Sequence, residues 1–209
     1  RSQKQSRWDK PLVASAAVGR YYLDWDGRHV WYRPNLMKVE KATARPGEPK
    51  RFERDKLIIS RMAHGLVGTL DKKHFYVKDA LLAAVPKAGY DLRFLLGLIN
   101  SKLVNFWYLS TFTSVDIHRN ELMQVPIRRL DLVRPSDKKP HDAVANLVDR
   151  ILEFVPKLRG ARSDVERQTL ENTLRATDRA IDELVYGLYG LTSDEITLVE
   201  QRSRDRPNR

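Results

Sequence analysis

Two hydrophobic rhythms divide the chain. From His141 onward, apolar residues recur at helical spacing: Val144, Leu147, Val148, Ile151, Val155 and Leu158. Pro156 is expected to kink or shorten that helix, and Gly160 to stop it. Ser163 and Glu166 form a capping box for a second helix. Its apolar positions, Leu170, Leu174, Thr177, Ile181, Leu184 and Leu188, lie alternately four and three residues apart, which is a heptad seam. Gly190 ends it, and Thr192 with Glu195 forms another capping box that opens a short last helix. Residues 202–209 read as a frayed tail.

Before residue 140 the apolar runs are shorter and punctuated by turns. Residues 20–33 read as a β-hairpin closed by Asp26-Gly27, with Tyr21, Tyr22 and Trp25 before the turn and Trp31 and Tyr32 after it. Those aromatics suit cross-strand core pairs better than stacking on a base. Residues 41–55, charged and carrying Pro46, Gly47 and Pro49, read as a loop. Lys56 to Arg61 reads as a buried strand leaving on a basic residue. Gly65–Leu70 and His74–Val77, joined by the turn Asp71-Lys72-Lys73, suggest a further hairpin, and Leu81 to Val85 another strand. Asp91 is placed to N-cap one helix over about 92–109. Thr111 to His118 is loop-like, and Glu121 to Gln124 forms a helical turn ahead of Pro126. The pattern predicts an α+β protein: a mixed α/β domain over 1–140, an antiparallel helical hairpin over 141–201, and the tail 202–209.

Charge sharpens this division. The net charge is +11, yet residues 1–140 hold 27 Lys+Arg against 14 Asp+Glu, while residues 141–209 hold 11 against 13. A basic domain joined to a near-neutral helical tail points to a polyanion for the first part, nucleic acid foremost. The 209 residues contain no cysteine, which excludes disulfides, thiolate metal sites and a thiol nucleophile, and suits a reducing cytoplasm. No apolar run approaches the roughly 18 residues that span a bilayer, so no membrane partner is expected. The chain opens on Arg1 and reads as part of a longer protein.

Candidate contacts follow from side chains that suit phosphates and base edges. Arg61 and His64 follow the predicted strand; Arg pairs with guanine O6/N7, His acts as a single donor, and either can equally be an exposed charge at a sheet edge. Lys72, Lys73 and His74 put three donors on one turn. His118, Arg119 and Asn120 precede the Pro126 turn; Asn suits adenine N6/N7, and Asn120 suits an N-cap as well. Arg128 completes the set. Within the segment from Leu95 to Tyr108, Asn100 and Ser101 are read as satisfying backbone groups, while Lys102 is left between a phosphate contact and a structural role.

Three motifs carry a resemblance. Leu95-Leu96-Gly97-Leu98-Ile99-Asn100-Ser101-Lys102-Leu103-Val104-Asn105-Phe106-Trp107-Tyr108 resembles the LLxxLNSKLxxFxY segment of target-recognition domains in adenine-specific DNA methyltransferases, including the TaqI-like specificity domain and fused type IIG restriction–modification enzymes. Val125-Pro126-Ile127 stands where that family carries its lPIP turn, although Arg128 occupies the place of the second proline. Ile181 to Ile196 resembles the IDxLVYxLYGLTxxEI tail that follows such domains. The resemblance implies a non-catalytic module that reads duplex DNA, part of a parent protein whose methyltransferase domain, N-terminal to this chain, binds S-adenosylmethionine and flips an adenine. It also implies a part in phage defence.

The chain itself is expected to hold no cofactor, metal or catalytic residue. The Asn/Asp-Pro-Pro-Tyr/Phe loop of that chemistry is absent from the sequence, as are phosphate-binding glycine loops and metal-ligand His pairs. Three rival readings stand beside this one: a fragment of a type I specificity subunit, a helical-hairpin scaffold with incidental basic charge, and a small nuclease using Asp116 and His118.

Overall fold

The computed structural model describes residues 6–14, 17–40, 46–78, 80–114 and 116–204. Its architecture is α+β, with small sheets under a layer of helices. The central sheet has the order β6-β5-β8, built from β5 (Lys56–Ser60), β6 (Gly68–Asp71) and β8 (Leu81–Ala84), all antiparallel. Every residue of β5 is buried, as its apolar run requires. A second sheet places β1 (Asp9–Val13) between β4 (His29–Trp31) and β7 (Tyr76–Val77), and a two-stranded ribbon joins β2 (Val18–Gly19) to β3 (Tyr22–Leu23).

Two expected hairpins are therefore not formed. Tyr22-Leu23 pairs back to β2 and His29–Trp31 pairs to β1, so Asp26-Gly27 turns the chain between two sheets. Tyr21 and Tyr32 are buried, while Tyr22, Trp25 and Trp31 stay partly exposed. Likewise β7 leaves β6 and pairs in parallel with β1. The physical reason is burial. Tyr76 packs with Tyr32 and Phe52, and Phe75 with Val13 and Ile58, so the segment after the Asp71 turn joins cores that a local hairpin would not reach. Two short helices, α1 (Pro34–Glu40) and α2 (Pro49–Phe52), also stand in this half; α2 occupies part of the expected loop, whose residues 41–45 lie outside the described residues.

The apolar segment after Asp91 is two helices, α3 (Leu92–Asn100) and α4 (Lys102–Thr111). Ser101 breaks them in an extended conformation: its N–H bonds Leu98 O, and its hydroxyl accepts from Val104 N as the N-cap of α4. Asn100 fixes the break to the sheet, exchanging two 3.0 Å bonds with the backbone of Gly68. Asn105 does the same for the loop before β6, accepting from Leu66 N at 2.7 Å and donating to Leu66 O. The polar cluster inside the apolar segment thus serves backbone satisfaction, as read for Asn100 and Ser101.

Beyond α5 (Arg119–Leu122), three helices complete the chain: α6 (Pro135–Arg159), α7 (Asp164–Tyr189) and α8 (Ser193–Arg204). Helix α6 begins ahead of His141 and runs through Pro156 to the Gly160 cap, so Pro156 does not shorten it. Gly190, at φ 70°, ends α7 in the left-handed region that favours glycine. Residues 205–209 of the expected tail lie outside the described residues.

Helices α6 and α7 pack into the same core as the central sheet and α3. Val144, Val148, Ile151, Ile181 and Val185 share one buried core with Leu57, Ile59, Leu96 and Leu98. The helices meet over Gly97, where an added Cβ would lie 2.6 Å from Val144 Cγ1 and 3.2 Å from Val148 Cγ2. Arg93 ties α3 to α6 through Asp149 at 2.6 Å.

Candidate nucleic-acid interface

Strand β5 delivers Arg61 to one end of the central sheet. Its backbone pairs with both Ala80 and Ile117, and its Nε donates to Ile117 O at 3.1 Å. Ile117, 1% exposed, plugs the loop into the main core. The next three residues, His118, Arg119 and Asn120, are exposed at the start of α5, with His118 as N-cap; Asn120 is inside the helix and does not cap it. His64 is exposed in the loop that leaves Arg61. Four of the predicted contacts, Arg61, His118, Arg119 and Asn120, are thus brought together.

Arg119 also lines a cleft of about 740 Å³ between α2, β8 and α5. Arg51, Arg54, Lys78 and Lys87 line it too, and all five cations are exposed. Among the described residues none of the five has an ion-pair partner; Lys50, on the same rim, is held by Glu48 at 2.9 Å. The nearby acids are engaged elsewhere. Glu53 accepts from Lys10 at 2.6 Å and Tyr76 OH at 2.9 Å, which hold its carboxyl below the usual range, and Asp55 faces His74 at 3.1 Å. The floor is apolar, with Phe52, Leu81, Leu82 and Leu122. A smaller cleft of about 400 Å³ shares Lys87 and adds Tyr90, Arg128 and Arg129.

The remaining predicted residues lie elsewhere. Lys72, Lys73 and His74 occupy the turn at the opposite end of β5, since Lys56 pairs with Asp71 and Ile59 with Gly68. At about 3.3 Å per residue, the two ends are roughly 13 Å apart. That turn is built on a buried ion pair: Asp71 binds Lys56 Nζ and accepts from Phe75 N at 2.9 Å, and both charged side chains are fully buried. Lys102 is half-buried and paired within the fold, its ammonium 2.8 Å from Glu200 Oε2 and 3.6 Å from Asp182 Oδ2. Arg128 donates to Leu188 O, meeting the carbonyl end of α7 where a cation is favoured. Asp116 and His118 sit in one loop, and among the described residues no group of three His, Asp or Glu is placed to hold a metal ion. No helix of the described residues is long and apolar enough to cross a membrane.

The family model of the TaqI-like C-terminal specificity domain matches residues 10–127, more than half of the chain. The chain belongs to this family. Among curated proteins no match is found. The matched segment of this specificity domain contains the cleft walls α2, β8 and α5, the Arg61 strand end and the Ser101 break. It ends at Ile127, ahead of α6.

Sequence reasoning about this specificity domain missed Arg51, Arg54, Lys78 and Lys87. One signal is present: Lys50-Arg51 and Arg54 crowd a short stretch whose prolines and glycine mark it as a loop. The other half was not local. Lys78 and Lys87 flank β8, and only its pairing with β5 brings them to Arg119.

Proposed function

We propose that this specificity domain reads a short duplex DNA sequence for a DNA adenine N6-methyltransferase or a fused restriction–modification enzyme. The observation that carries the reading is the cleft: five exposed cations from three parts of the chain converge with no ion-pair partner among the described residues. Such an arrangement suits a phosphate backbone, whose condensed counterions those cations replace. Arg51, Arg54, Lys78 and Lys87 hold phosphates, while Arg119, Asn120, Arg61, His64 and His118 form the reading set that meets base edges. Catalysis belongs to a methyltransferase domain of the same protein, which binds S-adenosylmethionine. The chain alone supplies recognition. The test is duplex binding across a salt series. Replacing Arg51, Arg54, Lys78 and Lys87 with Ala should flatten the slope of log K against log salt by about 0.9 for each phosphate that is no longer neutralised. An unchanged slope places phosphates off the cleft.

A further inference from the structure

Helix α5 has four residues and buries none of them, so packing alone does not hold the element that presents Arg119 and Asn120. Ile117 just before it and Leu122 within it rest on the main core, and a single carboxylate supplies the polar anchor. Glu121 Oε2 accepts from Tyr108 OH at 2.6 Å and from His118 N at 3.0 Å, and Oε1 accepts from Ser114 Oγ at 2.6 Å. The three donors belong to α4, to the N-cap of α5 and to the loop between them.

Other capping glutamates of the molecule behave differently. Glu195 accepts from the N–H and hydroxyl of Thr192, and Glu166 accepts from Arg162 N. Both serve the end of their own helix. Glu121 instead joins its helix to Tyr108, which is buried in the main core. A carboxylate beside a cationic cleft also repels the phosphates that the cleft would attract, so its place there calls for another use. Its charge is turned into the loop by three donors.

We infer that Glu121 is a positioning residue for sequence reading: it sets the angle at which α5 presents Arg119 and Asn120, and so governs discrimination between sequences rather than affinity for duplex DNA. The inference rests on the proposed reading of α5. Charge-assisted hydrogen bonds are short and directional, which is what a base-edge contact demands of its support.

The test uses the full chain and a duplex selected from a random library, competed against a scrambled duplex. Glu121→Ala should lower the preference for the selected duplex on the order of tenfold, the scale of one base contact, with the salt slope and the binding of scrambled duplex unchanged. Glu121→Gln should restore most of the preference, because its amide oxygen can accept from Tyr108 and His118 while its amide N–H faces the Ser114 hydroxyl. Tyr108→Phe, which removes one donor and keeps the ring, should lower the preference by less and guards against a misfolded alanine variant. Undiminished preference in both Glu121→Ala and Tyr108→Phe would overturn the positioning role while leaving duplex binding in place. Absence of salt-dependent duplex binding by the unaltered chain would instead overturn the underlying reading, and the inference with it.

Discussion

At the junction of α4, α7 and α8, Arg20 and Lys102 face three carboxylates, Asp178, Asp182 and Glu200. At the cleft, Arg51, Arg54, Lys78, Lys87 and Arg119 face Glu48, which Lys50 already holds. Both groups of cations come from the same basic two-thirds of the sequence. The first group is absorbed by the fold: Arg20 reaches Asp178 at 2.5 Å and Asn100 O at 2.6 Å, fastening the β2–β3 ribbon to the Ser101 break and to α7. The second group is left facing outward. Charge in a sequence therefore becomes an outward cationic surface only where the fold brings cations together and ties up the nearby carboxylates.

The carboxylates of the two regions differ as sharply. Asp182, 1% exposed, takes the Lys102 N–H at 2.9 Å at the start of α4. Burial pushes its pKa up to about 6, against the pull of that N–H and of nearby Arg20 and Lys102. Glu121, near the surface, is brought down to about 2 by the His118 N–H, the Ser114 hydroxyl and the Tyr108 hydroxyl. In one place dehydration wins, in the other hydrogen bonding.

The largest effect expected belongs to the junction side. Ile181 is 0% exposed and touches the Gly97 crossing, so Ile181→Ala should cost on the order of 2–5 kcal/mol in urea unfolding. A cost below about 0.5 kcal/mol would show that the tail does not share the core.

Asp182 gives the next. A carboxyl with a folded pKa raised above its unfolded value of about 3.9 contributes stability that is full below that value. The contribution is lost as pH rises through about 6. Asp182→Asn should thus gain on the unaltered chain between pH 4 and pH 7, by on the order of 2–3 kcal/mol at about 1.4 kcal/mol per unit. Equal stability differences at both pH values would remove the contrast with Glu121.

The smallest expected effect is at the far turn. Lys72 and Lys73 are exposed and do not line the cleft; their turn stands at the end of β5 away from Arg61. Replacing both with Ala should change stability by less than about 0.5 kcal/mol. The salt slope should fall by less than the roughly 0.9 of one neutralised phosphate. A fall matching that of the cleft variant would add the Asp71 turn to the proposed phosphate path.

Much of the helical half was legible because its signals are local. The seam from Leu170 to Leu188 and the capping pairs Ser163–Glu166 and Thr192–Glu195 lie within single helices, and the structure forms those helices there. The strand Lys56–Ser60 was legible from its apolar run, yet the buried Lys56–Asp71 pair inside it was not, because the two residues meet only across the sheet. The break at Ser101 was hidden by apolar residues on both sides, which continue one periodicity through two helices. The candidate site was half legible. Arg61, His118, Arg119 and Asn120 could each be picked out by residue type, but their meeting depends on the Arg61–Ile117 contact; Lys102 is paired with Glu200, and the cleft cations come together only through the β5–β8 pairing.

The most direct test of the contrast between absorbed and outward cations is one salt titration of duplex binding on two variants of the full chain. In the first, Arg51, Arg54, Lys78 and Lys87 become Ala; in the second, Lys102 becomes Ala. The salt slope of the cleft variant should flatten by about 0.9 per phosphate no longer neutralised, while that variant melts as the unaltered chain does. Lys102→Ala should keep the slope and melt lower, because Glu200 and buried Asp182 lose their ammonium partner. A slope that falls with Lys102→Ala and holds in the cleft variant would contradict the account.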